Sequence, residues 1–242
     1  MAASGAAASA EAVSAAAAAV AAAVAVARPE DGDMAFLSKV DKQRLQAQIK
    51  DIEQKTSGEL VTVIARESDP YPYIPLLWAG LIALAVPPLV LALQLAWPLA
   101  LVSIVQLVLF LVLAVALRSP ALKMRLIPAK VKQHRAARTA REQFLDLGLH
   151  HTEGRSGVLI FVSVGERYVE ILADKGINEK VTQERWDAIV ADFVVAVKAK
   201  RVAEGFEQAV AACGTILAEN FPPEPGRAHA SKNELPDHLI EI

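Results

Sequence analysis

Cysteine is nearly absent from this 242-residue chain, and a lone thiol, Cys213, excludes an intrachain disulfide. That scarcity agrees with a reducing compartment. Cys213 lies in an apolar helical stripe, which predicts a buried thiol rather than a nucleophile. The sequence also lacks a phosphate-binding G-x-x-x-x-G-K-[ST] loop, a nucleophile elbow and zinc-ligand spacings. A net charge of −2 gives no electrostatic reason to expect nucleic-acid binding.

The most informative absence is that of charge, because residues 70–117 contain no Lys, Arg, Asp, Glu or His. Crossing a bilayer core takes roughly 20 apolar helical residues, so this run is long enough for two spans. We predict a transmembrane helical hairpin with spans at about 73–93 and 97–117, the first of them kinked at Pro87 and Pro88. The alternative is a buried helical hairpin in a soluble core, for which the rest of the chain offers little covering mass.

Polar side chains inside the predicted spans are few: Gln94, Ser103 and Gln106. Pumps and channels place ionisable groups within the membrane. The hairpin is therefore predicted to be an anchor rather than a conduit.

A run of basic residues follows the second span directly, and no acidic residue lies between positions 118 and 141. By the positive-inside rule, both soluble segments are predicted to be cytoplasmic and the hairpin to lie in the inner membrane. The same charges would attract anionic lipid headgroups, so topology retention and lipid recognition remain alternatives. The basic residues are Arg118, Lys123, Arg125, Lys130, Lys132, Arg135, Arg138 and Arg141.

The periodicity of the soluble parts predicts a helix at 38–55 and a strand at 60–65 before the hairpin. After the hairpin it predicts a helix at 128–147, two paired strands and two closing helices. A lone strand cannot be a domain, so the first strand should join the later sheet. We predict one α/β domain, an α/β/α sandwich, interrupted by the hairpin. The predicted segments are an Ala-rich extension (1–33), the first helix and strand of the domain (34–69), the hairpin (70–117), the basic helix with the rest of the domain (118–222) and a loose tail (223–242). Met34 is a candidate start of the chain.

Four phrases resemble one known family: TSGELVTVI, GRSGVLIFVS, ERYVEILADKGI and GFEQAV. They are similar to the TPM domain, a family named from a thylakoid lumen protein, a photosystem repair factor and a nematode receptor modulator. The resemblance covers roughly 38–68 and 135–222, and it implies an α/β/α sandwich. For activity it implies an acid phosphatase, a calcium-binding protein or an assembly partner of membrane complexes. Many members have an Asn-rich segment before the buried strand. At the corresponding place, 152–156, this chain has the sequence TEGRS, which contains no Asn.

One candidate metal site consists of three carboxylates near predicted strand ends: Asp174, Glu67 and Asp69. Carboxylate oxygens are the ligands that calcium and magnesium prefer. The three would meet if both strands ended at the same edge of the sheet. The alternative is that Asp174 caps the turn or short helix that follows it.

Basic and imidazole groups supply the remaining candidates. Arg155, Arg167 and Lys175 could form an anion-binding patch, whereas Glu166 with Arg167 in the strand–strand turn is predicted to be a solvated face. Adjacent side chains point apart on a helix or a strand, so His150–His151 is not expected to hold one ion.

The functional hypothesis is a membrane-anchored TPM-like protein, non-catalytic, that serves as a binding, accessory or assembly factor for a membrane protein or complex. Its expected partners are the lipid bilayer and a membrane protein, with a further copy of the chain as an alternative. No cofactor is expected, and calcium is the alternative. The first alternative is a metal-dependent phosphatase that uses the carboxylates above with calcium or magnesium. The second is a sensor of anionic lipid surfaces that uses the basic run.

Overall fold

The computed structural model of the chain describes residues 37–223 and 239–242. Predictions about the Ala-rich extension and Met34 lie outside the described residues. The chain divides into two units. The sandwich unit comprises the described residues up to Ser68 and from Arg135 onward, and the hairpin unit comprises Asp69–His134.

Nine helices and four strands make up the described residues. The helices are α1 (Lys39–Glu53), α2 (Tyr73–Leu84), α3 (Val86–Ala92), α4 (Leu99–Ala116), α5 (Pro120–Leu126), α6 (Ala129–Asp146), α7 (Lys175–Asn178), α8 (Gln183–Lys198) and α9 (Val202–Asn220). The strands are β1 (Glu59–Ala65), β2 (Gly157–Ser163), β3 (Tyr168–Ala173) and β4 (Ile240–Glu241), and two short 3₁₀ turns occupy Leu149–His151 and Glu153–Arg155.

The strands form one sheet in the order β3-β2-β1-β4. β1 and β2 are parallel and in register from Glu59↔Gly157 to Ala65↔Ser163. β3 returns antiparallel beside β2. β2 is buried along its whole length, which agrees with its continuous apolar sequence. As predicted, the strand before the uncharged run joins the sheet formed after it.

Helices cover both faces of this sheet. α1, α8 and α9 pack on one face, around a core that includes Leu60, Ile160 and Phe206. α6 packs on the other face through Ala136 and Ala140. The fold is therefore the predicted α/β/α sandwich, with a separate helical hairpin between β1 and α6.

Local sequence explains where the first helix begins. Ser38 is the N-cap of α1, and its hydroxyl accepts the Asp41 N–H at 3.1 Å. The Asp41 carboxylate in turn accepts the Ser38 N–H. This reciprocal capping box satisfies backbone groups that the helix leaves unpaired at its start.

β4 differs from the loose tail predicted for 223–242. Ile240 and Glu241 pair in parallel with Val63 and Ile64 of β1. A strand of two residues has no apolar periodicity to read, which is why the sequence alone did not indicate it. Residues 224–238 lie outside the described part of the chain.

The hairpin unit contains two helical stretches that are long and apolar enough to cross a membrane. The first consists of α2 and α3 together, and the second is the 18-residue α4. α2 gives way to α3 at Ala85, just before Pro87 and Pro88, so the predicted kink is present. Gln94 has a positive φ of 53° in the turn between the spans. Most of the large apolar side chains on α4 are exposed.

Candidate functional site

The sheet topology separates the carboxylates that were predicted to meet. Asp174 follows Ala173, which pairs with Val158 near the start of β1 and β2. Glu67 follows the opposite end of β1. Seven strand residues at about 3.3 Å each put these two ends roughly 20 Å apart. The condition under which Asp174 and Glu67 would meet is therefore not fulfilled, because β3 runs antiparallel to β2.

The third predicted ligand, Asp69, belongs to the hairpin unit. Its Oδ1 accepts the backbone N–H of Tyr71 at 2.8 Å, an arrangement typical of Asx turns. Within residues 37–223 and 239–242, no group of three or more His, Cys, Asp or Glu side chains is placed to hold a metal ion. The predicted site of Asp174, Glu67 and Asp69 is therefore not assembled.

Asp174 instead organises the turn that starts α7. It is the N-cap residue, and its Oδ1 accepts the Lys175 N–H at 2.6 Å. Asn178 closes the turn by donating from its amide to the carbonyl of Ala173 at 2.7 Å. Gly176 lies so close to this turn that an added Cβ would stand 2.5 Å from the Gly154 carbonyl oxygen. The capping alternative for Asp174 is the one that the structure supports.

The predicted anion-binding patch is also divided. A Cβ added at Gly176 would stand 2.7 Å from the Arg155 carbonyl oxygen, so Lys175 and the Arg155 segment lie at the same end of the sheet. Arg167 lies in the β2–β3 turn at the opposite end. Two of the three cations share one end of the sheet, and the third does not.

Glu166 contradicts the prediction of a solvated turn, since only 4% of its surface is exposed. Both carboxylate oxygens accept the Ser68 N–H at 3.0 Å. The Ser163 hydroxyl also donates to Glu166. The Ser68 hydroxyl donates to Ser163 at 2.9 Å, and Thr139 on α6 donates to the Ser68 carbonyl at 3.1 Å. We call Ser68, Thr139, Ser163 and Glu166 the serine–glutamate cluster.

The serine–glutamate cluster fixes the last residues of the sandwich unit before the chain enters the hairpin unit. A buried carboxylate is stable only when it is hydrogen-bonded, and this one draws its donors from β2 and from the segment after β1. The sequence feature that could have indicated this cluster is Ser163, a polar residue that ends an apolar run three positions before Glu166. Ser68 is 98 residues away from Glu166, so no local pattern could identify it.

A partly buried polar pair lies on β3. The Tyr168 hydroxyl donates to Glu170 at 2.9 Å. Burial raises the pKa of the Glu170 carboxyl above its ordinary value, while this hydrogen bond and the nearby Arg141 oppose that rise. Burial, together with the neighbouring Glu170, also raises the pKa of Tyr168. Among the described residues, the pair belongs to no group of three or more His, Cys, Asp or Glu side chains that could hold a metal ion.

His150 and His151 do not point apart as predicted. Their rings lie with centroids 3.8 Å apart at an angle of 46°. The reason is that both residues lie in a 3₁₀ turn rather than in an α-helix or a strand. The two rings therefore touch in a tilted arrangement, and they belong to no group of three or more potential metal ligands among the described residues.

Cys213 is fully buried, and burial raises the pKa of its thiol to about 12. A thiol in that state is a core residue, not a nucleophile. The predicted role of Cys213 is confirmed.

The basic run is only partly available to lipid. Lys123 is 8% exposed and donates to the Pro70 carbonyl at 3.1 Å. Lys132 donates to the Met124 carbonyl at 3.2 Å. Arg138 pairs with Glu142 at 2.7 Å. Part of the charge predicted to contact lipid is therefore engaged inside its own unit.

A cleft of about 320 Å³ lies between α8 and α9. Its apolar lining includes Phe193 and Ala209, and Asp192 and Arg201 supply charge. Arg201 already pairs with Glu204 at 2.8 Å. The cleft brings together none of the residues predicted to form a site.

Comparison with known proteins agrees with this architecture. Residues 126–216 match the model of the TPM domain. The solved structure of the BA42 protein from the psychrophilic bacterium Bizionia argentinensis, determined by NMR, is similar with a TM-score of 0.54 and 19% sequence identity. The similarity covers 87% of this chain and 99% of that one, which shows a shared fold. No curated protein matches the sequence. The segment that carries α6, β2, β3, α8 and most of α9 is therefore similar to the TPM domain.

Proposed function

We propose that this chain is a membrane-anchored TPM-domain protein and that it acts as a non-catalytic accessory or assembly factor for a membrane protein or complex. The observation that carries the proposal is the exposed apolar surface of α2–α4, inserted between β1 and α6. Leu99, Leu107 and Val115 on α4 are 81%, 58% and 71% exposed. Such a surface is costly in water and favourable in hydrocarbon.

The anchor itself holds no charged side chain, and so it gives no support to a transport function. The sandwich unit offers binding surfaces, but its candidate carboxylates are dispersed, and each buried one described above is engaged by hydrogen bonds. An enzyme needs an acid, a base or a metal converging on one pocket. The dispersal of Asp174 and Glu67 favours an accessory role over the metal-dependent phosphatase.

For orientation we propose that both soluble segments face the cytoplasm from the inner membrane. The support is the basic residues after α4, including the exposed Arg125 and Lys130. The turn between α3 and α4 would then face the opposite side.

Cysteine labelling in right-side-out membrane vesicles tests the anchoring and the orientation together. The buried Cys213 gives a low background with a membrane-impermeant maleimide. Ala96→Cys lies in the turn between the spans, and Lys198→Cys lies at the exposed end of α8. We expect Ala96→Cys to be labelled at once and Lys198→Cys only after permeabilisation. Recovery of the chain in the soluble fraction after carbonate washing would overturn the anchor, and the reverse labelling pattern would overturn the orientation.

The non-catalytic part of the proposal has its own test. Hydrolysis of p-nitrophenyl phosphate is measured for the purified full chain with calcium, with magnesium and with chelator, beside Asp174→Asn. We expect the same background rate in every case. A cation-dependent rate that disappears in Asp174→Asn would restore the enzyme hypothesis.

A further inference from the structure

A single carboxamide lies near the middle of the second apolar helix. α4 runs from Leu99 to Ala116, and Gln106 stands within two residues of the centre of that range, which is about 3 Å along the helix axis. Water would hydrate such a group, but the hydrocarbon core of a bilayer offers it no partner. An amide without a hydrogen bond is strongly disfavoured there.

The hairpin does not satisfy this carboxamide itself. Among the hydrogen bonds of residues 37–223 and 239–242, none involves the side chain of Gln106, which is partly exposed on the surface of α4. Ser103, one turn earlier, differs in this respect, because its hydroxyl donates to the Leu99 carbonyl at 3.0 Å. Gln106 therefore keeps two N–H donors and one carbonyl acceptor for a group outside its own hairpin.

Gln106 lies beside the contact between the two helical stretches of the hairpin. α2 packs against α4, and the buried Ala79 and Val102 mark the sides on which the two helices face each other. At about 100° per residue, Gln106 is turned about 40° from Val102 around the axis of α4. Phe110 and Ser103 follow in the same direction, at about 80° and 100°. One flank of the hairpin therefore carries all three side chains.

α2 contributes an open position to the same flank. Gly80 is turned about 100° from Ala79. Because α2 and α4 run antiparallel, this rotation leads to the same side of the hairpin as the rotation from Val102 to Gln106. A Cβ added at Gly80 would meet nothing within 4 Å. Small residues allow a neighbouring helix to approach closely in a membrane, so a polar group and room for another helix lie on one flank.

We propose that the flank formed by Gly80, Ser103, Gln106 and Phe110, which we call the amide flank, is the contact surface of a homodimer within the membrane. The Gln106 carboxamide of each copy donates an N–H to the carboxamide oxygen of the other copy. The helical stretches of the two hairpins then form one bundle, with this pair of hydrogen bonds near its centre. The inference deepens the proposed function and rests on it for the hairpin lying in a bilayer.

A second copy fits the amide flank better than an unrelated membrane protein does. Copies of one chain insert in the same orientation and at the same depth, so a two-fold axis along the membrane normal brings Gln106 opposite Gln106. The carboxamide is complementary to itself, because it carries both donors and an acceptor. An unrelated protein would need its own polar group at this depth. Residues 70–117 hold no charged side chain, so the pairing brings no like charges together.

Energy transfer between copies of the full chain tests the dimer in liposomes that contain no other protein. Ala96→Cys, in the turn between the spans, carries either the donor or the acceptor dye, and the buried Cys213 gives a low background. We expect energy transfer that falls as the protein is diluted in lipid, because dilution dissociates the dimer. Absence of transfer at every protein-to-lipid ratio would overturn the proposal.

Substitutions at the amide flank identify the interaction. Gln106→Leu removes the pair of hydrogen bonds and should raise the mole fraction at half-dissociation roughly tenfold. Gln106→Asn keeps a carboxamide and should recover part of this loss. Ser103→Ala is the matched control and should leave dissociation unchanged, because the hydroxyl that it removes is already bonded to the Leu99 carbonyl. Equal dissociation of Gln106→Leu and the wild type would overturn the amide contact.

Disulfide crosslinking in native membranes identifies the face. Ser103→Cys and Ile104→Cys lie at adjacent, exposed positions of α4, but they are turned about 60° and 160° away from Gln106. We expect oxidation by copper phenanthroline to give a covalent dimer with Ser103→Cys and little with Ile104→Cys. Equal crosslinking would overturn the assigned face. A product with another protein in place of the dimer would give the flank to an unrelated partner and overturn the second copy.

Carbonate washing separates failure of the dimer from failure of the anchor. A chain that stays in the membrane fraction but is monomeric would overturn the dimer and leave the proposed function intact. A chain that is washed into the soluble fraction would overturn the anchor, and the homodimer within the membrane would fall with it.

Discussion

The sandwich unit and the hairpin unit both contain helices rich in apolar residues, but these helices place their apolar side chains in opposite environments. α9 buries eight of its 19 residues, among them Phe206 and Leu217. α4 buries one of its 18 residues, Val102. In water, the second arrangement would leave a large apolar surface uncovered. The difference teaches that the two units place apolar helix residues differently: α9, which also carries charged residues, buries its apolar side, whereas the uncharged α4 leaves most of its large apolar side chains exposed.

The largest effect that would sharpen this comparison is the loss of a core side chain. Leu217→Ala removes a fully buried side chain from α9, and we expect it to lower the free energy of unfolding by about 2–5 kcal/mol. Leu107→Ala on α4 removes the same atoms from a side chain that is 58% exposed. We expect Leu107→Ala to have a free energy of unfolding close to that of the wild type. The measurement is denaturation in nanodiscs, followed by the fluorescence of Trp186 in a chain in which Trp78 and Trp97 are replaced by Phe.

An introduced charge distinguishes lipid from water at positions of equal exposure. Leu107 on α4 and Val195 on α8 are 58% and 59% exposed. An Arg near the centre of a span costs about 2.5–3.5 kcal/mol of insertion free energy, whereas on a solvated helix it costs little. We expect Leu107→Arg to reduce recovery in the carbonate-washed membrane fraction and Val195→Arg to leave it unchanged. Equal recovery of both variants would break the comparison.

A smaller effect concerns a polar atom within the sandwich core. The Thr62 hydroxyl on β1 is fully buried and has no hydrogen-bond partner among the described residues. Thr62→Val keeps the shape and removes the unsatisfied hydroxyl, so we expect it to raise the free energy of unfolding by about 1 kcal/mol. Ser163→Ala is the matched control. Its hydroxyl donates to Glu166, so the control should lose stability in the same denaturation experiment.

The smallest effect is a pH dependence from the α6 face of the sheet. Because the pKa of Glu170 is raised in the folded state, the folded chain retains a proton that the unfolded chain releases. The contribution of Glu170 to stability is therefore fully present below the ordinary pKa of about 4.5 and is lost as the pH rises through the folded value.

Glu170→Gln should remove this loss and flatten the stability profile above pH 4.5. The Tyr168 hydroxyl would still have an oxygen to donate to. Glu179→Gln, at the exposed carboxylate just after α7, is the control that should keep the wild-type profile. Unfolding temperatures measured across the pH range provide the test, and parallel profiles for Glu170→Gln and the wild type would contradict the assignment.

Sequence patterns predicted what local chemistry determines. The apolar stripe of α8, the Ser38 cap and the alternation that ends at Ala173 all follow from spacing along the chain. The pairing of β4 with β1 and the contact between Ser68 and Glu166 join residues that are far apart in sequence. The candidate metal site does not form because β3 runs antiparallel to β2, which places Asp174 at the opposite end of the sheet from Glu67.

The position of the hairpin unit has a consequence for how the protein is made. β1 and β2 are neighbours in the sheet, yet residues 66–156 separate them in sequence. β1 therefore leaves the ribosome long before its first partner strand exists, and the two spans emerge between them. Loop closure of that length is slow, and early insertion of the spans would hold the waiting strand at the membrane surface. If the hairpin inserts as we propose, integration into the bilayer would precede closure of the sheet.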